Sequence, residues 1–216
     1  MKTLIFSDTH LSSTFEEKKY QHLQKLIREV DRVIINGDFW DGYLTNFDAF
    51  IHSKWNSLFP LLKKKQTVYI YGNHDQKTFS DERVSLFSIK QLDQYTLISN
   101  GIEYHIEHGN RLIPSIDDIF YQPKKLIYIE TLLFSYYEEF ITHVFKHSSR
   151  IWGVLLNNKL KRDSKKHGIF YIYGHIHFAE FDLKNNFAVS GIFQFGLAQY
   201  LLIEDGCIIP KSEWYG

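Results

Sequence analysis

Cysteine is almost absent from this chain of 216 residues, which contains only Cys207. A single thiol excludes an intrachain disulfide framework, and it also excludes a zinc site built from several thiolates. Disulfides persist in oxidising compartments and are rare where thiols are kept reduced. We therefore expect a cytoplasmic protein that folds without covalent cross-links.

The chain also lacks an excess of charge of either sign and a long apolar run. Lysine and arginine number 25, as do aspartate and glutamate, so no overall attraction to nucleic acid or anionic membrane is implied. The apolar run from Thr3 to Phe6 is too short for a signal-peptide core. The stretch from Leu126 to Phe145 contains three glutamates, which is not typical of a spanning helix of about 20 apolar residues. We expect a soluble protein with at most peripheral membrane contact.

Apolar and aromatic residues are abundant by contrast. Hydrophobic residues make up 44% of the chain and aromatic residues 17%. This composition allows a large buried core and excludes wholesale disorder. The length suits one domain and is too short for two ordinary domains in tandem. We therefore predict a single domain over residues 1–216.

Five short runs rich in β-branched and aromatic residues predict strands. They lie at 3–7, 33–35, 67–71, 103–107 and 168–173. The amphipathic segments between them predict helices, which lie at 16–30, 47–62 and 81–92. Alternating strands and helices predict a largely parallel sheet covered on both faces, with 187–191 and 200–209 as an antiparallel addition. The expected fold class is a layered α/β sandwich.

A long segment from about 114 to 167 interrupts this alternation, although connections between strands are normally short. Its apolar residues recur in steps of three and four, which predicts helices. We expect a helical insertion that covers the domain as a lid and ends in the basic run KLKRDSKK at 159–166. Its aromatic residues could form the wall of an apolar pocket; they are Phe120, Tyr121, Tyr128, Phe134, Tyr136, Tyr137, Phe145 and Trp152.

Each of the five predicted strands is followed directly by side chains that can bind a metal. They are Asp8 and His10, then Asp38 and Asp41, then Asn73, His74 and Asp75, then His108, and finally His175 and His177. The carboxyl ends of strands line the ligand crevice of an open α/β sheet, so we expect these side chains to converge. One such residue alone would be an ordinary turn or capping residue. Five clusters at equivalent positions predict a metal site.

The order of these clusters resembles the calcineurin-like metallophosphoesterases. The matching segments are SDTH at 7–10, GDFWD at 37–41, GNHD at 72–75, EHGN at 107–110 and GHIH at 174–177. The resemblance implies a phosphoesterase with two metal ions. It also implies a β-sandwich flanked by helices, that is, a layered α/β-β/α sandwich of the metallophosphoesterase type with a helical lid insertion.

The resemblance further implies how two divalent ions would be held. One ion would bind Asp8, His10, Asp38 and His177, and the other would bind Asp38, Asn73, His108 and His175. Asp38 would bridge them, because a carboxylate can offer one oxygen to each ion. Oxygen and nitrogen donors without thiolate admit Mn²⁺, Fe²⁺, Zn²⁺, Co²⁺ or Ni²⁺. Among these we favour Mn²⁺.

Three further residues are predicted to take part in catalysis. Ions about 3.5–4 Å apart would lower the pKa of a shared water, and the resulting metal-bound hydroxide would attack phosphorus in line. His74 follows the ligand Asn73 and is predicted to protonate the leaving oxygen or to hydrogen-bond the phosphoryl group. Asp41 and Asp75 are predicted to orient imidazoles or His74, with helix capping as the alternative.

The motifs indicate the reaction and not the substrate, so selection is expected to come from the lid. A helical insertion between the fourth and fifth motifs resembles the UDP-2,3-diacylglucosamine pyrophosphatases, in which such a lid accepts acyl chains. His74 departs from that branch, whose best-known members carry arginine there. The expected bond is a phosphomonoester, phosphodiester or pyrophosphate, in a phosphorylated small molecule, a lipid-linked compound or a nucleotide.

Two other hypotheses remain open at this point. A nuclease or cyclic-nucleotide phosphodiesterase is one, because the basic run at 159–166 could follow a nucleic-acid backbone. The other is a non-catalytic protein-binding scaffold with the same fold. Loss of metal ligands is expected in such a scaffold, whereas every ligand position of the motifs is filled here.

Overall fold

The computed structural model describes residues 1–115, 124–145, 150–167 and 169–216. The strands are β1 (Lys2–Phe6), β2 (Arg32–Asn36), β3 (Val68–Ile70), β4 (Lys90–Leu92), β5 (Gln94–Ser99), β6 (Ile102–Glu107), β7 (Phe170–Tyr173), β8 (Glu180–Asp182), β9 (Phe187–Val189), β10 (Phe193–Gln194), β11 (Leu197–Glu204) and β12 (Cys207–Trp214). The helices are α1 (Glu17–Arg28), α2 (Phe47–His52), α3 (Phe59–Lys64), α4 (Lys124–Phe145) and α5 (Arg150–His167). Short 3-10 helices cover Lys54–Leu58, Lys77–Phe79, Glu82–Leu86 and Leu183–Asn185.

Seven strands form the first sheet, in the order β10-β11-β1-β2-β3-β4 with β12 paired to β11. β1 to β4 are parallel to one another, and β11 is antiparallel to β1. Side chains alternate between the two faces, as the pleat of a strand requires. Leu4 and Phe6 pack with Leu23 and Ile27 of α1, whereas Ile5 belongs to the cluster between the sheets.

The second sheet has the order β5-β6-β7-β9-β8, with β6, β7 and β9 parallel. It packs face to face on the first sheet, and Ile34 and Ile70 of the first meet Ile106 and Ile172 of the second. Its outer face is covered by α5, where Leu160 packs among aromatic residues of β7 and β9. The layers are therefore helix, sheet, sheet and helix.

The layered sandwich confirms the expected fold class. The prediction of one sheet covered by helices on both faces is wrong, because the strands form two sheets. β6 and β7 pair with β9 in a sheet of their own and do not continue the first one. β9 is parallel to β7, so the segment 187–191 is not the antiparallel addition that we expected. β11 and β12, joined at Asp205-Gly206, are that addition.

One of the expected helices is divided into shorter ones, and another is wrong. The segment 47–62 is divided into α2, a 3-10 helix and α3, because Ser53 is extended and its side chain accepts a hydrogen bond from the Trp55 N–H. Pro60 then lies in the first turn of α3, where a missing N–H is tolerated. The segment 81–92 contains a 3-10 helix and then β4, which pairs with β3.

The described part of the predicted insertion 114–167 consists of α4 and α5. Phe120 and Tyr121, two of the expected lid aromatics, lie outside the described residues, as do the side chains of Phe145 and Trp152. Among the helices that the structure describes, none has the length and apolar character needed to cross a bilayer.

Candidate metal centre

The loops that follow β1, β2, β3, β6 and β7 meet at one edge of the two sheets. Backbone hydrogen bonds join them: the Leu11 N–H donates to the Phe39 carbonyl at 2.9 Å, and the Asp41 N–H donates to the Leu11 carbonyl at 2.9 Å. The Gly174 N–H donates to the His108 carbonyl at 3.0 Å. These bonds fix the loops to one another, so the side chains that they carry are held in a defined arrangement.

Four of the predicted metal ligands have a left-handed backbone. The φ angles are 53° at Asp8, 42° at His10, 51° at Asp38 and 62° at His175. Such a conformation costs a non-glycine residue about 1–3 kcal/mol and persists only where the surroundings impose it. Among the described residues, four of the nine non-glycine residues with a left-handed backbone therefore lie at this edge of the sheets, and such strain often accumulates at functional sites.

Asp8, His10 and His177 form the first cluster of ligand atoms. The Nε2 atom of His177 lies 3.3 Å from Oδ1 of Asp8 and 3.4 Å from Nε2 of His10. The Nε2 atom of His10 is 3.9 Å from the same Asp8 oxygen. All three atoms therefore point toward one small volume, as the ligands of a single cation do.

Asp38, His108 and His175 form the second cluster. The Nε2 atom of His108 lies 3.2 Å from Oδ2 of Asp38 and 3.2 Å from Oδ1 of Asn73. The same Asp38 oxygen is 3.8 Å from Nε2 of His10 in the first cluster. The Asp38 carboxylate therefore lies between the two clusters.

Hydrogen bonds at Nδ1 of two histidine rings determine which ring nitrogen is available to a metal ion. Nδ1 of His108 donates to the Asn36 carbonyl at 2.8 Å, and Nδ1 of His10 donates to Oδ2 of Asp41 at 3.2 Å. A proton held at Nδ1 leaves the Nε2 lone pair available, and such partners commonly orient histidine ligands of metals. Both rings therefore present Nε2 to the clusters.

The other two histidines are held by residues that our sequence analysis did not identify. Nδ1 of His177 donates to Oε2 of Glu138 on α4 at 2.6 Å. Nε2 of His175 donates to the Ile113 carbonyl at 2.7 Å, so this ring presents Nδ1 to the second cluster. Glu138 is separated from His177 by 39 positions, and no local motif marks it.

One buried oxygen provides a test of whether these residues suit a cation. Oδ1 of Asp8 is buried and has no hydrogen bond of good geometry among the described residues, although Nε2 of His177 lies 3.3 Å away. A buried carboxylate oxygen without a well-aligned donor is costly, and a metal ion would satisfy it. Carboxylate, amide and imidazole donors also suit the divalent transition metals. The residues present therefore fit divalent metal ions.

His74 and Asp41 form a third group of ligand-competent atoms together with His10, beside the first cluster. Nδ1 of His74 donates to Oδ2 of Asp41 at 3.1 Å, the same oxygen that accepts from His10. The Asp41 Oδ1 atom accepts from the backbone N–H groups of Tyr43 and Leu44 at 3.0 and 3.1 Å. Asp41 thus contacts both imidazoles and also accepts hydrogen bonds from the turn that follows it, where no helix begins.

Asp75 has different partners. Its carboxylate accepts hydrogen bonds from the backbone N–H groups of Asp38, Phe39 and Gly72 at 3.0, 2.7 and 2.7 Å. Burial, followed by the Asp38 charge, raises the pKa of its carboxyl to about 6. The described hydrogen bonds of Asp75 therefore fix the backbone around Asp38 instead of orienting an imidazole.

A sequence model of the calcineurin-like phosphoesterases matches residues 1–179. This chain belongs to that family. Proteins of the family bind divalent metal ions, in agreement with the two clusters at the sheet edge. A search of the curated proteins found no match.

Solved structures of low sequence identity share the phosphoesterase fold. A Vps29 from Entamoeba histolytica, complexed with Zn²⁺, is 12% identical, with both chains covered completely and a TM-score of 0.52. An archaeal phosphodiesterase is 16% identical, with 99% of this chain and 100% of that chain covered and a TM-score of 0.50. At these identities the likeness concerns the fold alone.

Charges at the candidate metal centre shift the pKa values of its residues strongly. Burial raises the pKa of the Asp38 carboxyl, but the imidazoles of His108 and His74 outweigh burial and hold it well below its usual range. Burial lowers the pKa of His74, whereas Asp41 and Asp38 raise it to about 9. Burial and His108 lower the pKa of His175 to about 4. Burial lowers the pKa of His108, whereas Asp38 raises it to about 10. Because a histidine ligand of a metal must be unprotonated at the binding nitrogen, an ion bound by His108 would displace a proton.

Two cavities of about 270 Å³ each flank the metal centre. The first lies between the centre and α4, with His10 and His74 on one side and Phe134 on the other. The second lies beyond His108 and is lined by polar residues that include Arg111. His74 lines only the first of these cavities, and His108 lines only the second.

Gly37 is a position where the backbone and the site both require glycine. Its φ is +84°, and an added Cβ would overlap the ring of His108. We expect Gly37→Ala to lower the free energy of unfolding by about 1–3 kcal/mol through backbone strain. It should also displace His108 and weaken the binding of one ion. Urea unfolding and metal analysis of the purified variant measure the two effects.

Gly101 offers a matched control for that substitution. Its φ is +77°, but no atom lies within 4 Å of an added Cβ. Gly101→Ala should therefore show the strain without the overlap, and it should keep the metal content of the wild type. Equal metal content in both variants would contradict the proposed place of His108 at the site.

Proposed function

We propose that this chain is a metal-dependent phosphoesterase that hydrolyses its substrate at a dinuclear centre. The observation that carries the proposal is the pair of adjoining ligand clusters with the Asp38 carboxylate between them. The intact set of ligand positions supports catalysis over a purely protein-binding role. The single exposed thiol, Cys207, supports a reducing, cytoplasmic location.

The ligand sets are those that the family resemblance implies, and the distances between the ligand atoms support them. In this proposal the first ion is held by Asp8, His10, Asp38 and His177, and the second by Asp38, Asn73, His108 and His175. When bound, two divalent ions supply a water of lowered pKa and polarise the phosphoryl oxygens. Mn²⁺ is the ion that we propose, with Fe²⁺, Zn²⁺, Co²⁺ and Ni²⁺ compatible with the same donors.

His74 is proposed to serve the leaving group. Its Nδ1 proton is held by Asp41, so the Nε2 atom remains for the substrate in the cavity that His74 lines. Against the effect of burial, Asp41 and Asp38 raise the pKa of His74, and the hydrogen bond to Asp41 favours a protonated ring. The Nε2–H group would then donate to the phosphoryl oxygens or transfer its proton to the departing oxygen.

A lipid-linked pyrophosphate is the substrate class that the exposed surface of α4 favours. Leu133, Phe134 and Phe140 on this helix are 64%, 56% and 63% exposed. Large apolar side chains are rarely exposed in such concentration unless they contact a ligand, a partner or a membrane. We propose that α4 receives the apolar part of the substrate and contacts the membrane surface peripherally while the phosphates occupy the metal centre.

A nucleic-acid or cyclic-nucleotide substrate has weaker support. Lys161, in the basic run at 159–166, pairs with Glu180 and lies 3.3 Å from Oδ2 of Asp182. This lysine is therefore neutralised by the domain and is not available to a phosphate backbone. The side chains of Asp163, Lys165 and Lys166 lie outside the described residues.

Removal of metal should abolish hydrolysis, and Mn²⁺ should restore it. The test uses bis-aryl phosphodiester, aryl phosphate, lipid-linked UDP-sugar pyrophosphate and single-stranded DNA, before and after dialysis against EDTA. We expect hydrolysis of an aryl ester and of the lipid-linked compound, because both place an apolar group against α4. Full activity in excess EDTA would contradict the metal mechanism, and cleavage of DNA alone would contradict the substrate class.

A further inference from the structure

One buried carboxylate connects α4 to the metal centre. Glu138 is only 6% exposed, although its neighbours Tyr137 and Glu139 on the same helix are exposed. Its Oε2 atom lies 2.6 Å from Nδ1 of His177. A carboxylate loses hydration when it is buried, so it is stable in this place only because the imidazole compensates it.

The His177 ring joins this carboxylate to the first ligand cluster. One nitrogen of the ring donates to Glu138, and the other lies 3.3 Å from Oδ1 of Asp8 and 3.4 Å from Nε2 of His10. A carboxylate on the far nitrogen holds the proton at Nδ1, fixes the ring orientation and increases the basicity of the other nitrogen. A residue of α4 therefore controls a ligand that is supplied by the loop after β7.

We propose that Glu138 is a positioning residue that prepares His177 to bind the first ion and couples docking of α4 to the occupancy of that ion. The inference rests on the proposed function only in requiring that the first cluster binds a metal. Coupling between two such events is reciprocal. If docked α4 strengthens binding of the ion, the bound ion stabilises docked α4 by the same factor.

This coupling has a consequence for the substrate cavity. Phe134, one helical turn before Glu138, lines the cavity opposite His74. Residues four apart lie on the same face of a helix, so fixing Glu138 also fixes Phe134 over the cavity. The chain would therefore close this wall of the cavity when the first ion is present.

The test compares metal affinities in Glu138→Ala, Glu138→Gln and the control Glu139→Ala. Calorimetric titration of the metal-free proteins with Mn²⁺ resolves the two ions by their affinities. Removing the partner of a metal-bound histidine typically costs about 10- to 100-fold in affinity, and we expect this loss for one ion in Glu138→Ala. Glu138→Gln retains an acceptor oxygen and should lose less. The control should bind both ions as the wild type does.

Hydrogen exchange of α4 supplies the second measurement. In the wild type, Mn²⁺ should slow exchange of the α4 amides around residue 138, and in Glu138→Ala this protection should be lost. If Glu138 is merely structural, its removal should weaken the binding of both ions together. If any loss of charge on α4 has the same effect, Glu139→Ala should lose affinity equally. Either result would overturn the proposal, as would unchanged affinity for both ions in Glu138→Ala.

The outcome is separable from that of the proposed function. Both measurements concern metal binding and helix protection, and neither requires a substrate. A wild type that binds two ions but hydrolyses no phosphoester would contradict the proposed function and leave the role of Glu138 intact. A wild type that hydrolyses normally, with metal affinities insensitive to Glu138, would contradict only the inference about α4.

Discussion

Asp38→Asn is expected to abolish phosphoester hydrolysis and to weaken the binding of both ions. Oδ2 of Asp38 lies 3.2 Å from Nε2 of His108 and 3.8 Å from Nε2 of His10, so one carboxylate serves both clusters. Asparagine has nearly the same shape but carries no charge. The loss should exceed about 100-fold, because even an outer partner of a metal ligand contributes 10- to 100-fold to affinity or activity.

Asp8→Asn is the informative comparison for that variant. The Oδ1 atom of Asp8 approaches His10 and His177 of the first cluster, so its neutralisation should deplete chiefly one ion. Metal content per chain after dialysis and kcat/KM with Mn²⁺ are measured for both variants. Two retained ions in Asp38→Asn would contradict the bridging role, provided that urea unfolding shows both variants to be folded.

The edge of the sheet that carries the site was predictable because its signal is local. A strand followed at once by Asp-x-His or Gly-Asp needs no knowledge of distant contacts, and parallel strands bring their carboxyl ends together. Asp8 and His177 are far apart in sequence, yet the structure brings them to 3.3 Å. The four left-handed residues also fall within these motifs, where aspartate and histidine tolerate that conformation better than most residues.

The division into two sheets was not predictable from the same residues. The apolar runs that form β3 and β6 look equivalent, and strand pairing depends on contacts between distant segments. β4 has only three residues, at Lys90–Leu92, which is too few for an alternating pattern. Pairing with β3 therefore determines that this segment is a strand, whereas its local periodicity predicted a helix.

Glu138 shows why the outer part of the site escaped the sequence analysis. In sequence it is one of two adjacent glutamates in a mostly apolar segment, and its only visible effect there is to interrupt the apolar run. Its partner His177 lies 39 positions away, beyond the reach of helical periodicity. Burial distinguishes Glu138 from Glu139, and burial depends on how α4 lies against the domain.

His74→Ala is expected to slow hydrolysis about 10²- to 10⁴-fold for substrates with poor leaving groups, as the loss of a general acid does. The loss should be much smaller for nitrophenyl substrates, whose leaving oxygen needs little protonation. Metal binding should remain near normal, because the side chain of His74 contacts Asp41 and the interaction with Asp38 uses the backbone N–H at 2.9 Å. Alanine keeps that N–H group.

The slope of log kcat against leaving-group pKa, measured for wild type and His74→Ala with metal content checked in both, decides the role of this residue. A general acid makes the wild-type slope shallow, and its removal makes the slope steep. If His74 only stabilises phosphoryl charge, the rates fall equally for all leaving groups and the slope is unchanged. His52→Ala is a matched control, because that histidine is 69% exposed on α2 and should leave both the rates and the slope unaltered. An unchanged slope in His74→Ala would therefore remove the acid role while leaving His74 within the site.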